Sequence, residues 1–103
     1  MLPLDVTIAF YRIAQEAFHN VAQHAEATEV DIKVVFDQEG VMLSVRDNGR
    51  GFDQNMIPAG HFGLSIMGSR AEEVGGNLVI ESEPGTGTEV IASWSERDNE
   101  EES

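Results

Sequence analysis

Glu16 and Asn20 are four residues apart in the segment QEAFHN (15–20), a spacing that places both side chains on the same face of a helix. Asn is a weak helix former and gains nothing from capping in the middle of a helix. Its amide oxygen could instead ligate Mg²⁺, while the neighbouring carboxylate holds a water molecule or accepts a proton. A polar stripe on a solvated helix surface is the alternative, and the spacing alone favours that alternative.

Asp47 is a second candidate, at the end of the alternating segment VMLSVRD (41–47). Because strand side chains alternate between faces, Asp47 shares its face with apolar residues such as Leu43 and Val45. A carboxylate on this face has three outcomes: it braces a turn, it meets water at the strand end, or it accepts a hydrogen bond from a ligand amine. Thr88 has the same parity in a later apolar strand, and two polar groups facing one apolar layer indicate a pocket.

The glycines that follow Asp47 form a third candidate group. Asn48-Gly49 is a common hairpin signal, yet no alternating segment that could pair with the preceding strand comes directly after it. We therefore interpret the residues from Asn48 to about His61 as a binding loop. Gly60 and Gly63 precede or open the next helical segment, where free N–H groups favour an anion. No Walker A lysine or dinucleotide fingerprint accompanies them, so each glycine alone is a weak signal.

Apolar periodicity predicts the elements that must position these residues. A helix runs from Asp5, its N-cap, to about Ala25. Its predicted buried face consists of Phe10, Ile13, Ala14, Ala17, Phe18, Val21 and Ala22. The later elements are strands at 28–36 and 41–47, a helix at about 62–74 that stops at Gly75-Gly76, and strands at 77–82 and 88–94. This order indicates an α+β fold, a two-layer sandwich with a mostly antiparallel sheet.

Composition excludes several classes of function. The 103 residues suffice for one domain, which we place at residues 1–96, followed by an acidic disordered tail at 97–103. The net charge of −13, from 19 acidic and six basic residues, provides no basic surface, so we expect no nucleic-acid partner. The absence of cysteine excludes disulfides and thiol catalysis. No apolar run approaches membrane-spanning length, so we expect no membrane contact.

Four segments, taken together, point to a family. QEAFHNVAQHA, DNGRGFD, GHFGLSIMGSRA and GTGTEV resemble, in this order, the N, G1, G2 and G3 boxes of the sensor histidine kinase catalytic domain. That domain belongs to the GHKL ATPase superfamily, which also contains gyrase, heat-shock chaperone ATPases and mismatch-repair proteins. The resemblance spans about Leu2 to Trp94, and HFGLSIMGSRA is similar to the nitrate/nitrite-sensor branch. It implies the GHKL (Bergerat) fold, a mostly antiparallel mixed sheet covered on one face by helices.

The resemblance also implies roles for the matching residues. Asn20 would coordinate the Mg²⁺ that bridges the ATP phosphates, with Glu16 beside it as the catalytic carboxylate. Asp47 would accept a hydrogen bond from the adenine amino group, and Gly49 and Gly51 would let the backbone lie close to the base. The other implied ATP-binding residues are His24, Gly60, His61, Gly63, Leu64, Gly85, Thr86, Gly87 and Thr88. Further candidate phosphate neighbours are Arg50 and Arg70.

As a function, the resemblance implies a domain that binds Mg-ATP beneath a lid at 50–62 and donates the γ-phosphate to a histidine on a separate upstream dimerisation domain. His19, His24 and His61 lie within ATP-binding motifs, so none of them is interpreted as the acceptor. The phosphorylated histidine would in turn pass its phosphoryl group to a response regulator. The full-length protein would be a homodimeric kinase in the cytoplasm, free or anchored to a membrane, from which this chain is an excised part. A stand-alone kinase or ATPase that regulates a protein partner, as anti-sigma-factor kinases do, is the alternative.

Overall fold

The computed structural model describes residues 2–22, 27–51 and 63–97, with the side chains of residues 63 and 64 left undescribed. Its six elements are α1 (Leu4–Asn20), β1 (Val30–Phe36), β2 (Gly40–Asp47), α2 (Gly63–Glu73), β3 (Asn77–Glu83) and β4 (Gly87–Ser95). The order and type of these elements confirm the α+β prediction. Among the described residues, no helix combines the length and apolarity needed to cross a membrane.

The four described strands form one sheet in the order β1-β2-β4-β3. All three pairings are antiparallel, so this part of the sheet is wholly antiparallel rather than mixed. Because β2 pairs with both β1 and β4, it is a central strand. Its last residue, Asp47, lies directly opposite Thr88 of β4.

The two helices pack on one face of the sheet and against each other, α1 over β2 and β4 and α2 against β3. Ile13 and Met67 are fully buried between the layers, and burial of such a side chain contributes about 1.5–3 kcal/mol. The rest of the core comprises Val6, Ala9, Phe10, Ala17, Val41, Leu43, Val45, Ala71, Val90, Ala92 and Trp94. The predicted inward faces of β2 and β4 are therefore confirmed.

The N-terminus of α1 differs from the prediction. Pro3 occupies the N-cap position, and Asp5 lies in the first turn, so the assignment of Asp5 as N-cap is wrong. The Asp5 carboxylate accepts a hydrogen bond from the Val6 N–H at 2.9 Å, and its charge favours the positive end of the helix dipole. The helix ends at Asn20, and residues 23–26, where we predicted its last turn, lie outside the described residues.

The buried face of α1 is narrower than predicted. Phe10, Ile13 and Ala17 are buried as expected, but Phe18 is 44% exposed. Successive residues lie about 100° apart around a helix, so Phe18 falls beyond the stripe that contacts the sheet. Ala22 is also exposed.

β1 lies at an edge that the helices do not cover. Its register places Ile32, Val34 and Phe36 on the same side as the buried residues of β2, yet they are 47%, 49% and 65% exposed. The cause is the position of the helix layer, which packs over β2, β4 and β3. The alternating pattern of β1 therefore correctly predicts a strand whose apolar face remains largely open.

Local contacts hold the C-terminal end of α2 and Arg97, the last of the described residues. Gly75 adopts a positive φ of 80°, and the Gly76 N–H donates to the Ala71 carbonyl at 2.8 Å, which confirms the predicted stop of the helix. Arg97, the first residue of the predicted tail, forms a 3.3 Å ion pair with Glu39. The remaining tail residues, 98–103, lie outside the described residues.

Candidate functional site

Asp47 ends β2 on the side that faces the helices and is only 6% exposed. Its Oδ1 atom accepts a hydrogen bond from the Gly49 N–H at 2.8 Å, so the carboxylate braces the turn that follows the strand. Its second oxygen, Oδ2, makes no hydrogen bond with the residues that the structure describes. The sequence left three outcomes open for this carboxylate, and the structure shows that it braces a turn. This role uses only one of its two oxygens.

The turn between β3 and β4 packs directly against the end of β2. Gly87 has a φ of 106°, and a Cβ atom there would overlap the Asp47 carbonyl oxygen and lie 3.1 Å from the Asn48 Cα. Gly51 has a φ of 62°, and a Cβ atom there would overlap the Glu83 carbonyl oxygen. Both positions require glycine because L side chains avoid this backbone conformation and the neighbouring backbone fills the space. Gly49, Gly51 and Gly87 are thus brought together beside Asp47.

Gly85 and Thr86 form the tip of the same turn. The Gly85 N–H donates to the Arg50 carbonyl at 2.6 Å, which ties the tip to the segment after Gly49. The Thr86 hydroxyl donates to the Glu83 carbonyl at 3.0 Å, and Thr86 is exposed. Gly85 has a φ of 86°, and a Cβ atom there would meet nothing within 4 Å. Glycine is therefore favoured at this position by the backbone conformation alone.

Two polar residues that the sequence analysis missed support this region. Ser82 is 6% exposed, and its hydroxyl lies 2.8 Å from the Thr88 hydroxyl and 3.1 Å from the Gly87 carbonyl. It therefore orients Thr88, which lies opposite Asp47. The sequence did contain a signal for Ser82. The alternation of side chains along β3, which the EPGTG turn joins to β4, places Ser82 on the same face as Thr88.

The second missed residue is Asn48. Its Oδ1 accepts hydrogen bonds from the backbone N–H groups of Thr28 and Glu29, each at 3.0 Å, and its Nδ2 donates to the Thr28 hydroxyl. Asn48 thus ties the segment before β1 to the end of β2. The hairpin interpretation of Asn48-Gly49 is wrong, because the two edges of β2 pair with β1 and β4, and neither of these strands directly follows Gly49 in the chain.

An open cavity of about 440 Å³ lies at the ends of β2, β3 and β4. Its lining includes Asp47, Thr86, Gly87 and Thr88 together with Arg46, Glu81, Ser82, Glu83 and Glu89. The register places Arg46, Glu81 and Glu89 on the sheet face opposite Asp47, and Glu89 accepts a hydrogen bond from Ser44. The lining thus carries four carboxylates, those of Asp47, Glu81, Glu83 and Glu89, against the single charge of Arg46, and this excess of negative charge disfavours phosphate groups in the cavity.

Glu16 and Asn20 both lie half-buried on α1, one turn apart, on the helix that packs against β2 and β4. The Nδ2 atom of Asn20 is buried, and it has no hydrogen-bond partner among the described residues. A half-turn of the amide group puts its oxygen in the same place, where it could bind a cation. An oxygen-donor pair of one amide and one carboxylate fits Mg²⁺, which keeps most of its water ligands. In the part of the chain that the structure describes, no cluster of three acidic or histidine side chains could hold a metal alone.

Several predicted site residues lie at the edges of the described ranges or outside them. Gly63 begins α2 as predicted, but the side chain of Leu64 is undescribed. His24, Gly60 and His61 lie outside the described residues. Most of the predicted lid, from residue 52 to residue 62, lies outside them as well. Within the described residues, the candidate site therefore consists of Glu16 and Asn20 on α1 and of the residues that pack around Asp47.

Comparison with known proteins agrees with this arrangement. Residues 5–98 match the family described as histidine kinase-, DNA gyrase B-, and HSP90-like ATPase. The chain is 40% identical over 91 residues to the signal transduction histidine-protein kinase/phosphatase DegS of Brevibacillus brevis, covering 88% of this chain and 24% of the relative. It is 34% identical over 94 residues to the nitrate/nitrite sensor protein NarX of Escherichia coli, covering 91% of this chain and 16% of the relative.

The fold has a solved counterpart. The histidine kinase domain of the Erythrobacter litoralis EL346 blue-light activated histidine kinase superposes with a TM-score of 0.73 at 23% identity, over 89% of this chain and 48% of the other. This likeness supports the two-layer fold. The chain spans about a quarter or less of the length of the two sensor kinases named above. Together with the family match over nearly its whole length, these similarities show that the chain belongs to the histidine kinase-, DNA gyrase B- and HSP90-like ATPase family, as a catalytic domain of the sensor histidine kinase type.

Proposed function

We propose that this domain binds Mg-ATP and donates the γ-phosphate to a histidine on a separate helical domain. The buried Asp47 carboxylate carries the proposal, since one oxygen is fixed by the Gly49 N–H and the other makes no hydrogen bond with the described residues. Asp47 lines the open cavity at this end of the sheet, so its second oxygen can accept a hydrogen bond from a ligand there. The exocyclic amine of adenine is a donor of the required kind, and Thr88 lies opposite to contact the same end of the base.

The phosphate end of the nucleotide would lie along α1. Asn20 would hold Mg²⁺ through its amide oxygen, and Glu16 would hold a water molecule or accept a proton one turn away. A metal ion held by these residues would supply positive charge that offsets the charge of the phosphates. The unpartnered amide of Asn20 supports this assignment, because burying a polar group without a partner costs free energy unless a ligand satisfies it.

The chain's own residues would contribute positioning rather than covalent chemistry. Asp47 and Thr88 would fix the base, and Asn20 and Glu16 would fix the phosphates, which orients the γ-phosphate toward an incoming acceptor. The acceptor histidine would belong to an upstream dimerisation domain, which would pass the phosphoryl group to a response regulator. We place the full-length homodimeric kinase in the cytoplasm or on its membrane face.

Two measurements test the proposal in sequence. Calorimetric titration of the chain with ATP, with and without Mg²⁺, is expected to show binding, and the absence of binding would refute the proposal entirely. Incubation with γ-labelled ATP and the upstream helical histidine-bearing domain of the same protein is then expected to label a histidine of that domain. The variant of that domain with its acceptor histidine changed to Gln is the control and should remain unlabelled. Binding without transfer under any Mg²⁺ concentration would leave a nucleotide-binding module and refute the kinase assignment.

A further inference from the structure

Three oxygen atoms form a hydrogen-bonded row beside the turn between β3 and β4. The Ser82 hydroxyl lies 3.1 Å from the Gly87 carbonyl oxygen and 2.8 Å from the Thr88 hydroxyl. Ser82 is only 6% exposed and lies opposite Thr88, which in turn lies opposite Asp47. The row therefore runs from the turn to the strand position that faces the Asp47 carboxylate.

The proton of each hydroxyl has one place in this row. A carbonyl oxygen can only accept, so Ser82 donates its single proton to Gly87. The bond between the two hydroxyls then uses the proton of Thr88. The reverse order would give up the bond to the Gly87 carbonyl, and an arrangement with both bonds is more stable than one with a single bond. Thr88 is consequently a donor toward Ser82 and an acceptor toward a ligand.

The Asp47 carboxylate does not compete for the Thr88 proton. Within the described residues, the hydroxyl of Thr88 bonds with Ser82 alone, and Asp47 uses Oδ1 for the Gly49 N–H. Both Asp47 and Thr88 line the open cavity at this end of the sheet. Two oxygen atoms, Oδ2 of Asp47 and Oγ1 of Thr88, can therefore accept hydrogen bonds from a ligand there, and neither has a proton to donate to it.

We propose that Ser82 is a positioning residue that makes the site select 6-aminopurine nucleotides over 6-oxopurine nucleotides. This inference rests on the proposed binding of ATP and adds a residue that does not itself touch the base. The 6-amino group of adenine carries two N–H donors, which suit two acceptors. The 6-oxo group of an inosine or guanosine nucleotide is an acceptor, so it would face the lone pairs of Asp47 and Thr88 without a proton between them.

The contribution of Ser82 is to fix the direction of one proton. A threonine hydroxyl that is free to rotate can accept from an amine or donate to a carbonyl, so without Ser82 the Thr88 hydroxyl would suit either base. With its proton committed to Ser82, Thr88 suits only the amine. A site that leaves a polar atom of the wrong ligand unpaired discriminates more strongly than a site that only binds the right ligand well.

Calorimetric titration with ATP and with inosine triphosphate (ITP), which has a 6-oxo group in place of the 6-amino group, tests the proposal. The wild-type chain should bind ATP more tightly than ITP. In the Ser82→Ala protein, the affinity for ITP relative to ATP should rise at least roughly fivefold, because the released Thr88 hydroxyl can donate to the 6-oxo group. The affinity for ATP itself should change less than about twofold, because Thr88 can still accept.

Ser44→Ala is the matched control for Ser82→Ala. Ser44 is also a buried serine of the sheet, and its hydroxyl donates to Glu89 on the face opposite Asp47. This variant loses a hydroxyl and a hydrogen bond of the same kind, so it should leave the ratio of the two affinities unchanged. A ratio that shifts equally in both serine variants would mean that Ser82 acts only through the stability of the sheet, which would overturn the proposal.

A second variant and a direct measurement test whether Ser82 acts through Thr88. Thr88→Val should lower the affinity for ATP, and adding Ser82→Ala to it should change neither nucleotide affinity further, because the hydroxyl that Ser82 orients is already absent. In the wild-type chain, proton NMR should detect a slowly exchanging Thr88 hydroxyl proton close in space to the Ser82 side chain. A rapidly exchanging proton would overturn the proposal, whether or not the Ser82→Ala protein folds.

The outcomes distinguish this inference from the proposed function. Tight binding of ATP with the same ATP-to-ITP ratio in the wild-type and Ser82→Ala proteins would overturn the role of Ser82 and leave ATP binding intact. An effect of Ser82→Ala that persists in the Thr88→Val protein would do the same. A wild-type chain that binds neither nucleotide would overturn both the proposed function and this inference.

Discussion

The Asp47 carboxylate and the Gly49 N–H form a 2.8 Å hydrogen bond at the buried end of β2. This bond uses Oδ1, so the carboxylate is held in one orientation while Oδ2 remains available to a ligand. The backbone of Gly87 closes the other side of Asp47, as the overlap expected of a Cβ atom there shows. Turn bracing and ligand binding are therefore compatible roles for one carboxylate, each served by a different oxygen.

Asp47→Asn should separate these two roles. The amide oxygen of asparagine can still accept the hydrogen bond from the Gly49 N–H, so the fold should remain. The amide nitrogen then replaces Oδ2 and presents a donor to the donating amine of adenine. A mismatch of this kind costs about 1–3 kcal/mol, which corresponds to a loss of ATP affinity of roughly 5- to 150-fold. Calorimetric titration with ATP measures the loss, and circular dichroism measures the melting temperature.

Asp37→Asn is a matched control for this substitution. Asp37 also uses Oδ1 to accept backbone hydrogen bonds, from the N–H groups of Glu39 and Gly40, but in an exposed turn. It should leave ATP affinity unchanged. Unchanged affinity in the Asp47→Asn protein as well would show that Asp47 serves only the turn.

The sequence predicts well which residues share a face. Period-2 alternation placed Asp47 inward with Leu43 and Val45, and it paired Thr88 with the same layer, because the alternation of strand side chains is fixed by backbone geometry. It also predicted that the chain after Asn48 would not return as a hairpin partner. These successes concern local geometry, which a short stretch of sequence determines.

The sequence predicts less well what covers a face or satisfies a polar group. The pattern of β1 identifies a strand, but whether the helix layer reaches Ile32 depends on the positions of α1 and α2 across the sheet. The roles of Asn48 and Ser82 depend on partners that only the fold brings close. The prediction that Phe18 is buried was wrong for a related reason. An apolar residue beside the buried stripe of a helix carries no local sequence signal that distinguishes it from the residues of the stripe.

The Asn20→Ala substitution should raise the free energy of unfolding and lower the rate of phosphotransfer. The buried Nδ2 atom has no partner among the described residues, and alanine is the better helix former, so we expect a gain of about 0.5–1.5 kcal/mol in the free energy of unfolding. Loss of the metal-holding oxygen should reduce phosphotransfer at least roughly tenfold more than it reduces ATP affinity. Urea denaturation, calorimetry and transfer of label to the acceptor domain measure the three quantities.

Gln15→Ala is the control for Asn20→Ala, because the side chain of Gln15 is exposed on the same helix. It should change neither transfer nor ATP affinity. A destabilised Asn20→Ala protein, or equal losses of affinity and transfer, would contradict a role for Asn20 in holding the metal.

Gly87→Ala and Gly85→Ala should differ in cost although both glycines have positive φ angles, 106° and 86°. At Gly85 the added methyl group meets nothing within 4 Å, so only the backbone conformation is strained, at about 1–2 kcal/mol. At Gly87 the methyl group also overlaps the Asp47 carbonyl oxygen, and we expect about 3 kcal/mol or more. Urea denaturation compares the two variants, and equal costs would refute the close packing of Gly87 on β2.

Asn48→Ala should loosen the junction between β1 and β2 rather than the nucleotide site. It removes the oxygen that accepts hydrogen bonds from the Thr28 and Glu29 N–H groups, which water can replace in this exposed region, so we expect a cost of about 1–2 kcal/mol. Thr28→Ala removes only the acceptor of the Asn48 Nδ2 bond and should cost less than about 0.5 kcal/mol. Amide hydrogen exchange should accelerate at residues 28–30 in the Asn48→Ala protein and remain unchanged in β3. Equal stability of the two variants, or exchange that accelerates across the whole sheet, would mean that Asn48 does not act as a local tie between these strands.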